Sequence, residues 1–144
     1  MPRSARIIGL LGLLPFWGPA ALLWAGPDAW QVPALRGQLA YGASILAFMG
    51  GTHWGFALST EGGRSHYALG VPAAVIAAIS ILVHPARSLP LLIAGFALTW
   101  LIDERRTPAV GPMQARAYRR LRRALSLSAI AALVASWAAM GFAN

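Results

Sequence analysis

LAYGASILAFMGGTHWGFAL, residues 39–58, runs for twenty residues without an acid, a lysine or an arginine. A helix rises about 1.5 Å per residue and the hydrocarbon slab of a bilayer is about 30 Å thick, so about 20 apolar residues cross it. Four more apolar stretches share this character, at 7–24, 67–83, 89–102 and 124–142, separated by short polar breaks. A closed barrel is the other permitted way through lipid, but it needs alternating runs of about 10 residues. These runs are continuous and rich in alanine and leucine, so the sequence predicts helices. The fourth stretch is short; it spans only if Pro85 to Ser88 join its helix or the bilayer thins around it. The expected fold is all-α, a polytopic membrane bundle of five transmembrane helices forming a single domain over residues 1–144.

Composition agrees. Hydrophobic residues make up 58% of the 144 and charged residues 11%, against about 25% charged in soluble domains. The formal charge of +8 is of a size that nucleic-acid binders show, but its placement points to a membrane instead, and no nucleic acid is expected as a partner. The absence of cysteine excludes a disulfide framework, a thiolate metal site and a cysteine nucleophile. The basic residues other than histidine are all arginine.

The arginines fix an expected orientation. With five crossings, the N-terminus, the second loop and the fourth loop share one side. That side holds Arg3, Arg6, Arg64, Arg105, Arg106, Arg116, Arg119, Arg120, Arg122 and Arg123; the other holds Arg36 and Arg87. The positive-inside rule therefore places the N-terminus in the cytoplasm and the C-terminus in the periplasm. Trp24 and Trp30 then fall at the outer interface and Trp100 at the inner one. The first stretch has the basic start of a signal peptide, but Leu23-Trp24-Ala25 is a poor cleavage box, so it is expected to stay. Pro15, Gly18 and Pro19 should kink or break it.

Lipid gives helices no hydrophobic reason to associate, so close packing through small residues matters. The second span carries Ala43, Ala47, Gly51, Gly55 and Ser59 at intervals of four, with Gly51 and Gly55 as a GxxxG pair. Glycine costs about 1 kcal/mol in a helix and needs a reason to be there. The expectation is helix packing along this ridge, within the bundle, in a dimer interface or around a ligand groove. The fifth span has a weaker ridge of Ala124, Ser128, Ala132 and Ser136, and the third offers Gly70, Ala74 and Ala78. The third and fourth spans should form a tight hairpin, with Ser88 capping the fourth and Pro90 in its first turn. Residues 107–112, Thr-Pro-Ala-Val-Gly-Pro, read as a turn, followed by a basic helical lead-in to the last span.

His53 is the sharpest candidate for function, because an ionisable side chain inside a span usually faces the bundle or a water-filled cavity. It lies about 200° around the helix from Gly51 and about 9 Å above the inner end at Ser59. Three roles are open: a structural hydrogen bond to a neighbouring helix, proton relay or ligand contact, or ligation of a metal or haem. Metal and haem are poorly supported, since His53, His66 and His84 have no i, i+3 or i, i+4 partner and no CxxCH exists; a bis-histidine haem between His53 and His66 is conceivable but unforced. No cofactor is expected, and no GxSxG elbow marks a hydrolase. The topology brings His53, Asp103, Tyr118 and Arg122 to one face from three helices, with Glu104 beside them. A carboxylate there would favour charged histidine and arginine; the alternative is that each group snorkels to water or phosphate. Arg116, Arg119, Arg120 and Arg123 read as anchors to anionic lipid headgroups, worth about 1 kcal/mol each.

Residues 41–58, YGASILAFMGGTHWGFAL, resemble the central motif of domain-of-unknown-function family 3429, small bacterial membrane proteins with mitochondrial relatives of the transmembrane-protein-sixty-nine type. Asp103 and Tyr118-Arg119-Arg120-Leu121-Arg122 resemble the family's later acid and its Tyr-Arg-x-Leu-Arg element. The similarity covers nearly the whole chain. Ala117 departs from the tryptophan expected before the tyrosine, which removes an aromatic contact there. The family's position 53 looks basic, histidine or arginine, which favours charge pairing over strict metal ligation. The resemblance implies a multi-pass protein of a bacterial cytoplasmic (inner) membrane and no established activity. The expected function is non-enzymatic: an accessory or assembly component that packs against a membrane protein partner or another copy of itself. The alternatives are a small transporter or proton conductor using His53, and an enzyme acting on lipid or quinone.

Overall fold

The computed structural model describes residues 3–59, 64–106 and 112–142. Its elements are α1 (Arg3–Leu11), α2 (Leu14–Ala25), α3 (Asp28–Ser59), α4 (Arg64–Leu82), α5 (Pro85–Arg106) and α6 (Pro112–Phe142), with no strand among the described residues. α1 and α2 are one apolar stretch broken at Gly12 and Leu13, so the architecture is five helical rods. The stretches Ile7–Ala25, Pro85–Arg106 and Arg116–Gly141 are long and apolar enough to cross a membrane. α3 has ample length at 32 residues, but Gln38, Thr52, His53 and its glycines dilute it. α4 contributes the shorter apolar helix His66–Leu82. The expected turn at 107–111, Glu61, and the side chains of Arg3, Arg6 and Arg64 lie outside what is described. The basic lead-in and the last span form a single helix, α6.

The molecule is turned inside out relative to a soluble one. Phe48, Leu58, Val71, Leu82 and Trp137 face outward, while Gln38, His53, Ser80, Thr99, Asp103, Arg122 and Ser136 are buried. In lipid, apolar side chains lose nothing by exposure, and polar groups must find partners inside. The core is built on Phe16, Leu46, Leu89, Leu92, Phe96 and Leu133. Phe16 sits edge-on to Tyr41 at 5.3 Å and to Phe96 at 5.7 Å, geometries that aromatic quadrupoles favour.

The break in the first rod falls just before Pro15, where proline fits a first helical turn. Phe16 N–H turns to Leu13 O at 3.0 Å, which leaves Gly12 O without its usual i+4 donor. The Tyr41 hydroxyl of α3 fills that role at 3.0 Å, and Gln38 Nε2 donates to Phe16 O at 2.8 Å one turn further on, next to Pro19. Trp17 Nε1 reaches Ser128 Oγ at 3.0 Å and Trp24 Nε1 reaches Ala135 O at 2.9 Å, tying α2 to α6.

Two expectations are corrected here. Pro85 to Ser88 do join the fourth span, so Ser88 is not its cap. His84 caps instead: its Nδ1 accepts from Ala86 N–H at 3.3 Å, and Pro85 takes the first helical position. Ser88 is buried in the first turn and its hydroxyl donates back to Ser80 O, clasping the α4–α5 hairpin.

The glycine ridge is also displaced by one residue. Among the described residues, a Cβ on Gly51 or Gly55 would have nothing within 4 Å. The close approach is made by Gly50 to Gly70 of α4, where a Cβ on either would lie 2.5 Å from the other's carbonyl oxygen. Adjacent helical positions point about 100° apart, so a small rotation of α3 decides which of two neighbouring glycines meets α4. Ala43 is buried in the core and Ala47 packs against its edge.

Candidate functional site

Four rods bring polar side chains to one end of the bundle. α3 descends to it through Met49, Thr52, His53 and Phe56. α5 ends there with Asp103 and Glu104, α6 begins there with Tyr118 and Arg122, and α4 begins there with His66. The topology explains the convergence: alternate up-and-down rods put the C-terminal ends of α3 and α5 beside the N-terminal ends of α4 and α6.

Asp103 is the hub. Arg122 Nε donates to its Oδ2 at 2.9 Å, and His53 Nε2 lies 3.2 Å from its Oδ1. The side chains of His53 and Asp103 are 0% and 1% exposed, and that of Arg122 10%. Such a pair is costly to desolvate, so its geometry has to be good for it to persist. The guanidinium meets that demand. Its Nη2 reaches both Met49 O and Thr52 Oγ1 at 3.2 Å, and Thr52 Oγ1 itself donates to Met49 O at 2.7 Å. Arg122 also lies 5.6 Å from the centroid of the Tyr118 ring, a cation–π contact. One side chain of α6 therefore grips α5 through charge and α3 through a backbone carbonyl.

Aromatic rings close the site from below. His53 stacks on His66 with centroids 5.8 Å apart and an interplanar angle of 12°. Phe56 meets the rings of both histidines and of Tyr118 edge-on. The Nδ1 atoms of His53 and His66 are buried without a hydrogen-bond partner among the described residues. Those residues contain no group of three or more histidines or acids able to hold a metal ion.

Of the residues singled out in the sequence, His53, Asp103, Tyr118 and Arg122 stand together. Arg116 and Arg120 are exposed and Arg119 is partly buried. Arg123 is not left to lipid alone: its Nη2 pairs with Glu104 Oε1 at 2.8 Å, and Trp100 Nε1 bonds the same oxygen at 3.3 Å. The Met49 carbonyl and Thr52 were not anticipated, and His66 was weighed only as a partner of His53 in a bis-histidine haem. Thr52 was legible in principle, since it immediately precedes His53; a carbonyl acceptor leaves no mark in a sequence.

No solved structure matches the chain. Transmembrane protein 69 of Xenopus tropicalis is 46% identical over 57 residues, which is 40% of this chain and 22% of that protein. Transmembrane protein 69 of Mus musculus is 46% identical over 57 residues, 40% of this chain and 23% of its own length. The similarity thus spans less than a quarter of either relative. With these relatives and the apolar rods, the chain is an integral membrane protein. The model of the family described as "Protein of unknown function (DUF3429)" matches residues 1–138, and the chain belongs to that family.

Proposed function

We propose that this protein is a non-enzymatic accessory or assembly component of a bacterial inner membrane, docking through α3 and α4 against a partner helix or a second copy of itself. One observation carries the reading. Ala47, Gly51, Trp54, Gly70, Ala74 and Ala78 line a shallow outward groove between α3 and α4, and a Cβ on Gly51 or Gly55 would meet nothing within 4 Å among the described residues. Helix glycine is costly, and small residues are the usual means by which one membrane helix approaches another.

The test is association. Gly51→Leu should not lower the thermal midpoint of the purified protein, because a Cβ there meets nothing within 4 Å among the described residues. The same change should reduce self-association or partner recovery from native membranes at least about tenfold, the equivalent of about 1.4 kcal/mol. Unchanged association with a lowered midpoint would end this reading.

The orientation proposed with it follows the arginines. A reporter fused at Asn144 should read periplasmic, and one inserted at Gly111 cytoplasmic. A cytoplasmic Asn144 would mean that one rod fails to cross, and α4, the shorter apolar helix, would be the first suspect.

A further inference from the structure

A second cavity, of about 300 Å³, lies on another side of α3, where α1 and α2 meet α3, α5 and α6. Its wall is apolar over most of its extent, through Gly12, Phe16, Ile45 and Phe48, with Arg122 and Ser126 as its polar end. Ile8 and Phe48 also line it and are both 69% exposed, so it opens between α1 and α3 toward lipid. Pockets for small ligands run from about 300 to 1,000 Å³ and combine apolar walls with a few placed polar groups; this one lies at the lower bound.

Ser126 supplies the independent observation. Other buried serine and threonine hydroxyls of the bundle bond to carbonyls of their own helix: Ser80 donates to Ala77 O at 2.7 Å, Thr99 to Gly95 O at 2.8 Å and Ser136 to Ala132 O at 3.1 Å. Ser126 is 1% exposed and its hydroxyl has no partner among the described residues. It lies four residues from Arg122 and so on the same helix face. Arg122 turns Nε to Asp103 and Nη2 to α3, while Nη1 enters none of these bonds. A cavity open to lipid, apolar along its length and rimmed at one end by hydroxyl and guanidinium donors calls for an acceptor oxygen on a hydrocarbon body.

We propose that this cavity binds a single-chain amphiphile, an apolar tail headed by a carbonyl or carboxylate oxygen that takes the Ser126 hydroxyl and lies beside Arg122. Two sources share that chemistry, a free fatty acid and a long-chain quinone. The site is separate from the α3–α4 groove, so its fate is independent of the docking proposed there.

The full chain in nanodiscs is titrated with dodecanoate, with decyl-benzoquinone and with dodecane, and thermal unfolding is followed. At least one oxygen-headed probe should raise the midpoint of the parent in a dose-dependent way, and dodecane should not. Response to dodecanoate alone identifies a fatty-acid site; response to the quinone alone identifies a neutral carbonyl head. Ser126→Ala should fold with an unchanged or higher midpoint, since it removes an unpartnered buried hydroxyl, and should weaken the responding probe about 3- to 10-fold, the range of one net hydrogen bond. Ala129→Leu, which fills the cavity, should abolish the response. The proposal is overturned if neither oxygen-headed probe shifts the parent, if the shift is the same in parent and Ser126→Ala, or if Ser126→Ala lowers the midpoint without any probe.

Discussion

Arg122→Leu is expected to cost about 3–5 kcal/mol of stability, the range for removing one partner of a buried ion pair. The loss has two parts. Asp103, 1% exposed, keeps its carboxylate in a nearly dry site without the guanidinium 2.9 Å away. At the same time α6 loosens its hold on α3, because Arg122 bonds both Met49 O and Thr52. The check is reversible unfolding in mixed micelles. His53→Leu should cost less, about 1–3 kcal/mol, since it leaves the Arg122 grip intact. The double variant Asp103→Leu with Arg122→Leu should recover a large part of the single-variant loss, because no charge is left buried alone. A double variant as unstable as the sum of the two singles would show that charge pairing is not what the site contributes.

Gly50→Leu should be comparably damaging, for a purely steric reason. Even a Cβ at position 50 would lie 2.5 Å from Gly70 O and 2.8 Å from the Ala73 Cβ. Both obstacles are backbone or the first side-chain atom, so neither can rotate away and α3 must separate from α4. Overpacking of this kind costs about 1–3 kcal/mol for modest insertions, and Gly50→Ala should fall in that range, with leucine beyond it. Gly51→Ala, one residue later, should be neutral or stabilising by up to about 1 kcal/mol, the helix-propensity gain over glycine. Measuring Gly50→Ala and Gly51→Ala side by side isolates the effect. Equal stabilities would remove the Gly50–Gly70 contact as a feature of the fold.

The contrast between those glycines marks where sequence reading stops. The rods were legible because apolar runs set by bilayer thickness leave few alternatives. The meeting of His53, Asp103, Tyr118 and Arg122 was legible because alternating rods send their ends to one side, and ionisable groups in a span must find each other. Rotation about a helix axis was not legible: the i, i+4 ridge through Gly51 and the neighbouring Gly50 differ only by that rotation, which neighbours decide. Gln38 and Tyr41 were missed for a related reason. Their importance depends on which carbonyls the break at Gly12 exposes. Arg123 read as one more cation in a basic run, and only the side-by-side placement of α5 and α6 gives it Glu104.

The broken first rod has a consequence for how the protein is made. On leaving the ribosome, residues 7–25 form a hydrophobic segment whose kink presents a carbonyl at Gly12 that depends on Tyr41, with Gln38 adding a second tie at Phe16 O. Those donors belong to α3 and are synthesised later. An unsatisfied peptide carbonyl in hydrocarbon costs several kcal/mol, so the nascent first segment is poorly suited to partition into the bilayer alone. It is best held at the insertion machinery until α3 has emerged, and the two then enter as a preassembled hairpin whose own side chains replace the water left behind.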